Sequence, residues 1–588
     1  MLLRAAAVAL LGLVPASAAH GAGLPTMPLG DVRAGMSCTA RSVVSGTTVV
    51  EFDARVDEVV SGGSDPAGAR LLLTVSGPAV DATGVGPGFS GSPVLCPGAD
   101  GVPRVAGAIS ETIGAYGGRT VFATPIQAVL REPVDPPRAT ATGARAAALR
   151  RRARPISEAL SFSGLSPAVG KVFQRAAARA GRTLVLAPLR PAQAPAPAPA
   201  IVPGSAIGVT LATGDIDAGA IGTAAYVDGT TVWGFGHPFD AAGRRSLFLT
   251  SAYVYAVVNN PLSTQEAATY KLAAPTAAIG TVTQDGVSGV VGRIGAGPAS
   301  YPVQISVRDR DTRRLEGVRL QVADERALGF PTGASALSAI APAGIVQGIY
   351  ATLDGSPVRQ SADMCLRVSV SGRRKPMGFC NTYVGGGGTP DALAGGPVVA
   401  DAVAATQLLD AYDAGPLKVT RVEVGLRVSR GLRMATLRSL SGPAVVRRGS
   451  TISVRAVLRR PGGQVVRRTI RVSIPRGTPA GPRDLFLKGT EADVTTGSGD
   501  ETTIDLSSLF EPASGEADPG PGSVEALAKT LSGLHRYDGV TARLLPPGAS
   551  VPEQLPGGAE GVAQRSRRVS RDAGLRVAGR ARLSILVR

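Results

Sequence analysis

The chain has 588 residues (59.4 kDa), 44% of them apolar, room for roughly three or four domains with real cores, and its 76 glycines and 45 prolines favour strands and turns over long helices. Aromatics make up 4% with one tryptophan, which argues against a stacking platform for single-stranded nucleic acid; three histidines and four cysteines, with no CxxC or HxxxH spacing, exclude a zinc module. The net charge of +18 sits in two blocks, 136–190 and 416–476, and only six of the 62 basic residues are lysine, which reads as a solvated, arginine-biased surface with no nucleic-acid partner.

Residues 1–19 read as a secretory signal peptide: Arg4, an apolar run over 5–15, then the small-x-small pattern Ala16-Ser17-Ala18. No later stretch approaches the roughly 20 apolar residues of a transmembrane helix, so the expectation is an exported protein, secreted or in the extracytoplasmic envelope. Export permits disulfides, and segment membership pairs Cys38 with Cys96 and Cys365 with Cys380.

Residues 24–133 are a β-rich unit, with β-branched and apolar runs at 47–52 and 70–75 bounded by glycines. A basic helical segment and an Ala/Pro linker fill 134–200; Val169, Val172, Phe173 and Ala176 stand at helical spacing before Gly181. A second β-rich unit spans 201–395, with a hairpin over 223–235 turning at Asp228-Gly229. A short helix at 398–413 opens 396–490, which is otherwise sandwich-like, with Ile470, Val472 and Ile474 alternating with Arg471 and Ser473. The tail, 491–588, carries a short helix at 523–535 and a strand at 581–587.

Two segments can carry chemistry. In Gly84-Val-Gly-Pro-Gly-Phe-Ser-Gly-Ser-Pro93 the glycines let backbone N–H groups converge, so Ser90 can act as a nucleophile with the Gly88 and Ser90 amides as oxyanion donors. Such a serine needs a base. His237, in Trp233-Gly-Phe-Gly-His-Pro-Phe-Asp240, is the candidate; His20 lies at the cleavage site and His535 in a surface helix. No cofactor or metal is called for.

Together these segments resemble the SpoIVB-type (S55) serine peptidases. Gly88-Phe-Ser-Gly-Ser-Pro93 with Val105–Ser110 and Thr120–Ile126 is similar to that family's serine half, with Phe89 in place of Met. Ala218–Thr223 through His237, then 278–286 and 289–295, is similar to its histidine half. The resemblance covers roughly 31–130 and 201–305 and implies a mainly β chain with a trypsin-like β-barrel peptidase core in two halves, Ser90 as nucleophile and His237 as base. The halves run in reversed order, which triad geometry tolerates, and no PDZ segment precedes the histidine half. The family places an aspartate upstream of the serine, which makes Asp81 the nearest candidate, with Asp240 and Asp215 as alternatives. The implied substrate is polypeptide: an envelope or secreted protein, or the enzyme itself. The competing readings are a catalytically silent envelope binding protein on the same scaffold, and a basic protein holding an anionic envelope polymer.

Overall fold

A computed structural model describes residues 23–113, 118–156, 159–179, 183–188, 200–259, 269–325, 335–386, 397–489, 520–534, 537, 539–549, 567–571 and 575–588. The expected signal peptide, His20 and His535 lie outside these residues, as does nearly all of the Ala/Pro linker.

Alternation builds the first unit. In β2 (Val49–Val60) Phe52, Ala54 and Val56 point inward while Glu51, Asp53 and Arg55 face water. It pairs with β1 (Ser37–Val43) and β3 (Arg70–Ser76), and the sheet continues through β4 (Pro93–Pro97), β5 (Pro103–Ile113) and β6 (Thr120–Pro125) in the order β4-β1-β2-β3-β6-β5. Because β5 also pairs with β4, Pro93 opposite Ala108, the sheet closes into a six-stranded barrel filled by Val56, Leu71, Leu73, Val94, Ile109 and Val121. The short helix α1 (Ile126–Leu130) follows β6.

Cys38 of β1 and Cys96 of β4 are disulfide-bonded, as are Cys365 and Cys380, the two pairings expected from the sequence. Such cystines fit an extracytoplasmic protein. The first closes a separation of 58 residues. A Cys38→Ala/Cys96→Ala variant should lose about 4 kcal/mol by the chain-entropy relation, read as a lower urea midpoint than wild type.

The basic segment contributes strands as well as helices. After α2 (Gly143–Arg152) come β7 (Ala153–Pro155), β8 (Ala159–Ser163), α3 (Pro167–Arg179) and β9 (Thr183–Leu186); β7 pairs with β5 as the seventh strand of the first sheet and β8 with β11 (Asp217–Asp228), so the segment joins the first sheet to the next. That sheet has 13 strands. Six of them, β10 (Ala206–Gly214), β11, β12 (Thr231–Gly234), β13 (Gly243–Asn259), β14 (Thr269–Gly286) and β15 (Gly289–Ile294), pair in a closed circuit, β10-β13-β14-β15-β12-β11 and back to β10. Val209, Val232, Phe235, Leu247, Leu249 and Val282 share its core.

The same sheet extends through β16 (Ser300–Asp309), β17 (Leu315–Ala323), β18 (Arg359–Val370), β19 (Met377–Gly386) and β20 (Val419–Arg430). Here the structure differs from the sequence-based division: β20, expected in the sandwich, runs parallel to β16 and antiparallel to β18. Helices α4 (Ala336–Leu353) and α5 (Pro397–Asp410) pack over this part. Among the described residues α4 is the one helix long and apolar enough to cross a membrane, and 78% of it is buried within the protein.

The remaining strands form two facing sheets with one core that includes Leu437, Val454, Ile470, Leu485 and Ile585. One holds β21 (Met434–Ser441), β23 (Thr451–Arg459), β24 (Val465–Ser473) and β28 (Arg576–Ala578). The other holds β22 (Val445–Val446), β25 (Gly481–Gly489), β26 (Gly539–Leu545), β27 (Arg567–Arg571) and β29 (Arg580–Val587). The tail strands therefore complete the sandwich, while the tail helix α6 (Val524–Ser532) packs beside β19.

Candidate active site

The loop between β3 and β4 carries Ser90. Gly88 (φ +96°) and Gly91 (φ +91°) flank Phe89-Ser90 in conformations that disfavour a side chain. Phe89 is fully buried in the core of the six-stranded barrel and anchors the loop. Ser92 Oγ donates to the Phe89 carbonyl at 2.6 Å, and the Gly91 amide donates to the Ile109 carbonyl at 2.7 Å. The Gly88 and Ser90 amides, by contrast, donate to no acceptor among the described residues. Ser90 is 0% exposed and its Oγ has no hydrogen-bond partner. A buried hydroxyl left unbonded costs about 1–3 kcal/mol, the sort of local deficit that concentrates at functional sites.

The second strand circuit holds the loop from the other side. The Thr223 amide donates to the Ser90 carbonyl at 2.7 Å, Thr223 Oγ1 donates to the Gly88 carbonyl at 3.0 Å, and the Lys271 amide donates to the Pro87 carbonyl at 2.8 Å. The approach is so close that a Cβ on Gly91 would lie 1.9 Å from the Thr223 carbonyl oxygen. A Cβ on Gly222 would lie 2.4 Å from the Phe235 ring and 3.0 Å from Ser90 Oγ, so glycine at 222 lets Phe235 and the serine pack against β11.

Beyond β12 the chain turns through Phe235 (φ +70°) and Gly236 (φ +69°) into His237. A left-handed phenylalanine is strained by about 1–3 kcal/mol, and its ring, buried in the core of the second circuit, holds it there. The Gly236 carbonyl accepts from Thr124 Oγ1 at 2.7 Å. A Cβ on Gly236 would lie 3.3 Å from the Ile109 carbonyl, the same group that accepts from Gly91, so the serine loop and the histidine turn meet at one strand. Asp285 fixes the turn that follows, accepting from the amides of Phe239 and Asp240 at 2.7 Å and of Ala242 at 3.3 Å.

His237 is 6% exposed, and its Nδ1 lies 2.7 Å from the Pro238 carbonyl. A carbonyl only accepts, so Nδ1 carries the proton and Nε2 the lone pair, the tautomer a general base requires. Burial pushes the imidazole down to about 4, opposed by the Pro238 bond and the Glu111 charge and reinforced by Arg70. Ser90 Oγ and His237 are not hydrogen-bonded to one another.

No family model matches the chain, and no curated protein or solved structure matches it either.

Of the carboxylates proposed from sequence, Asp81 lies half-exposed and paired with Arg119 at 2.6 Å, and Asp215 accepts from the Arg319 amide at 2.8 Å in a separate cleft. Neither is brought to the imidazole. Asp240 pairs with Arg245 at 3.2 Å within the turn after His237. Glu111 is a carboxylate whose charge acts on His237, and it is itself held by Arg70 at 2.9 Å. Sequence reading missed this residue, the Pro238 carbonyl and Lys271. A main-chain acceptor has no side-chain signature. Lys271 did have one: it is one of six lysines and sits in an apolar strand.

Because His237 sits near 4 in the folded chain against 6.5 when solvated, the unfolded chain binds the extra proton between these values. Its contribution is complete above pH 6.5 and is lost as pH falls through 4, on the order of 3 kcal/mol. Urea midpoints measured from pH 7 to pH 4 should fall less steeply in His237→Gln than in wild type.

Proposed function

We propose that this chain is an exported serine peptidase with a trypsin-like pair of β-barrels, of the SpoIVB (S55) type, acting on polypeptide. The observation that carries the reading is the Ser90 loop: a buried hydroxyl without a hydrogen-bond partner, beside two amides that donate to nothing described, at the seam where the His237 turn arrives. On substrate entry His237 Nε2 takes the Ser90 proton as Oγ bonds to the scissile carbonyl carbon. The Gly88 and Ser90 amides hold the resulting oxyanion. The imidazolium then gives its proton to the departing amine; water, deprotonated in turn by His237, adds to the acyl carbon, the Oγ–acyl bond breaks, and the imidazolium returns its proton to Ser90 Oγ. The Pro238 carbonyl fixes the tautomer in place of a carboxylate.

Catalysis requires the seam to open and the Oγ–Nε2 contact to form. The closed seam favours one other reading, a silent envelope binding protein on the same scaffold, since Ser90 is 0% exposed. Fluorophosphonate labelling of the mature protein beside Ser90→Ala and His237→Ala separates the two. Labelling of wild type that vanishes in both variants is expected; no labelling of a folded wild type overturns the peptidase.

A further inference from the structure

Behind the serine loop, β14 buries a lysine that the mechanism above does not use. Lys271 is 4% exposed, and its Nζ donates to Ser42 Oγ of β1 at 2.7 Å and to Thr223 Oγ1 of β11 at 3.2 Å. It lies 4.4 Å from the centre of the Phe89 ring, and a Cβ on Gly88 would meet its stem at 2.8 Å. Its hydroxyl partners lead back into the loop. Thr223 Oγ1 donates to the Gly88 carbonyl at 3.0 Å, and Ser92 Oγ contacts both Ser42 Oγ at 3.0 Å and the Phe89 carbonyl at 2.6 Å.

Desolvation alone pushes the ammonium down to about 7, with no charged neighbour among the causes. A buried cation without a counter-ion is costly even with a ring face and two hydroxyls beside it, and a protein gains stability by losing one unless the charge organises something. What surrounds this one is carbonyl-directed: the cation orients both hydroxyls, Thr223 then holds the Gly88 carbonyl, and Ser42 reaches the Phe89 carbonyl through Ser92. In a planar peptide a carbonyl fixed on one side fixes the following N–H on the other. The Phe89 carbonyl belongs to the peptide that carries the Ser90 amide.

We propose that Lys271 is a positioning residue that, through Thr223, Ser42 and Ser92, locks the Pro87–Ser92 loop with the Ser90 amide aligned for an oxyanion. The inference rests on the peptidase reading for its catalytic consequence but not for its structural one, and its test keeps the two apart. Lys271→Met keeps the stem and removes the cation; Thr223→Val removes the hydroxyl that bridges to Gly88.

In the full chain, hydrogen exchange of a peptide covering residues 84–92 should rise about tenfold or more in both variants, while peptides from β2 and β3 stay protected. The fluorophosphonate labelling rate should fall by about 10²-fold, the loss typical of one oxyanion donor. A buried charge with only a structural part would act oppositely: its removal would raise global stability and leave the loop unchanged. Unchanged exchange over 84–92 in the folded variants overturns the proposal whatever the labelling shows. Raised exchange in a chain whose wild type does not label leaves Lys271 as the lock and removes the peptidase. Should Lys271→Met fail to fold, Thr223→Val alone decides.

Discussion

Ser90→Ala is expected to abolish fluorophosphonate labelling, lower peptide hydrolysis by about 10⁴-fold or more, and at the same time make the protein more stable. The first two effects follow from loss of the hydroxyl proposed as nucleophile. The third follows from the geometry, because Ser90 Oγ is buried without a hydrogen-bond partner and alanine removes the group that bears this deficit. The gain should be about 1 kcal/mol, visible as a higher urea midpoint with unchanged slope. A residue that destabilises its fold while sitting beside two undonated amides has the profile of a functional group. A lower midpoint in Ser90→Ala would mean that the hydroxyl is structurally engaged, and would count against a nucleophile waiting at the seam.

Gly91→Ala should be the most damaging single substitution in the site. The added Cβ would lie 1.9 Å from the Thr223 carbonyl oxygen and 2.6 Å from the Phe235 nitrogen, both main-chain atoms, at a φ of +91°. Nothing there can swing aside, so the serine loop and β11 must part. A loss of about 3 kcal/mol or more is expected, with limited proteolysis cutting within the 84–92 loop. Gly229→Ala is the matched control. Its φ of +55° is also left-handed but nothing lies within 4 Å of the added Cβ, so it should cost only about 1 kcal/mol. Equal losses in the two variants would show that backbone strain dominates and that the contact between the serine loop and β11 is slack.

What could be read from the chain beforehand was what local chemistry determines. The hairpin was readable to within a residue: the two-residue turn is Gly229-Thr230, one position beyond the expected Asp228-Gly229, and Asp228 pairs with Thr231 as the last residue of β11. Alternation placed Ile470 and Val472 inside and Arg471 in water. Long-range pairing was not readable. Nothing in Val419–Arg430 says that it will run parallel to β16, and nothing in Arg580–Val587 says that it will lie against β25 of the sandwich. The site divides the same way. Ser90 and His237 stood out because glycines surround both, and the structure brings their two loops to the Ile109 strand. The expected acid at Asp81 did not arrive, since Arg119 holds it at 2.6 Å, and the acceptor at the imidazole is the Pro238 carbonyl.

Phe89 is seated in one core and Phe235 in the other, and the serine loop hangs from β11 and β14 by main-chain hydrogen bonds. The segment bearing Ser90 is therefore synthesised well before the strands that shape it. A nascent chain that has emerged only as far as β9 possesses the hydroxyl but neither the imidazole nor the scaffold on which the loop is set. The loop can take its described conformation only after some 180 further residues have followed it and docked, so the order of synthesis sets the order in which this part of the fold is completed.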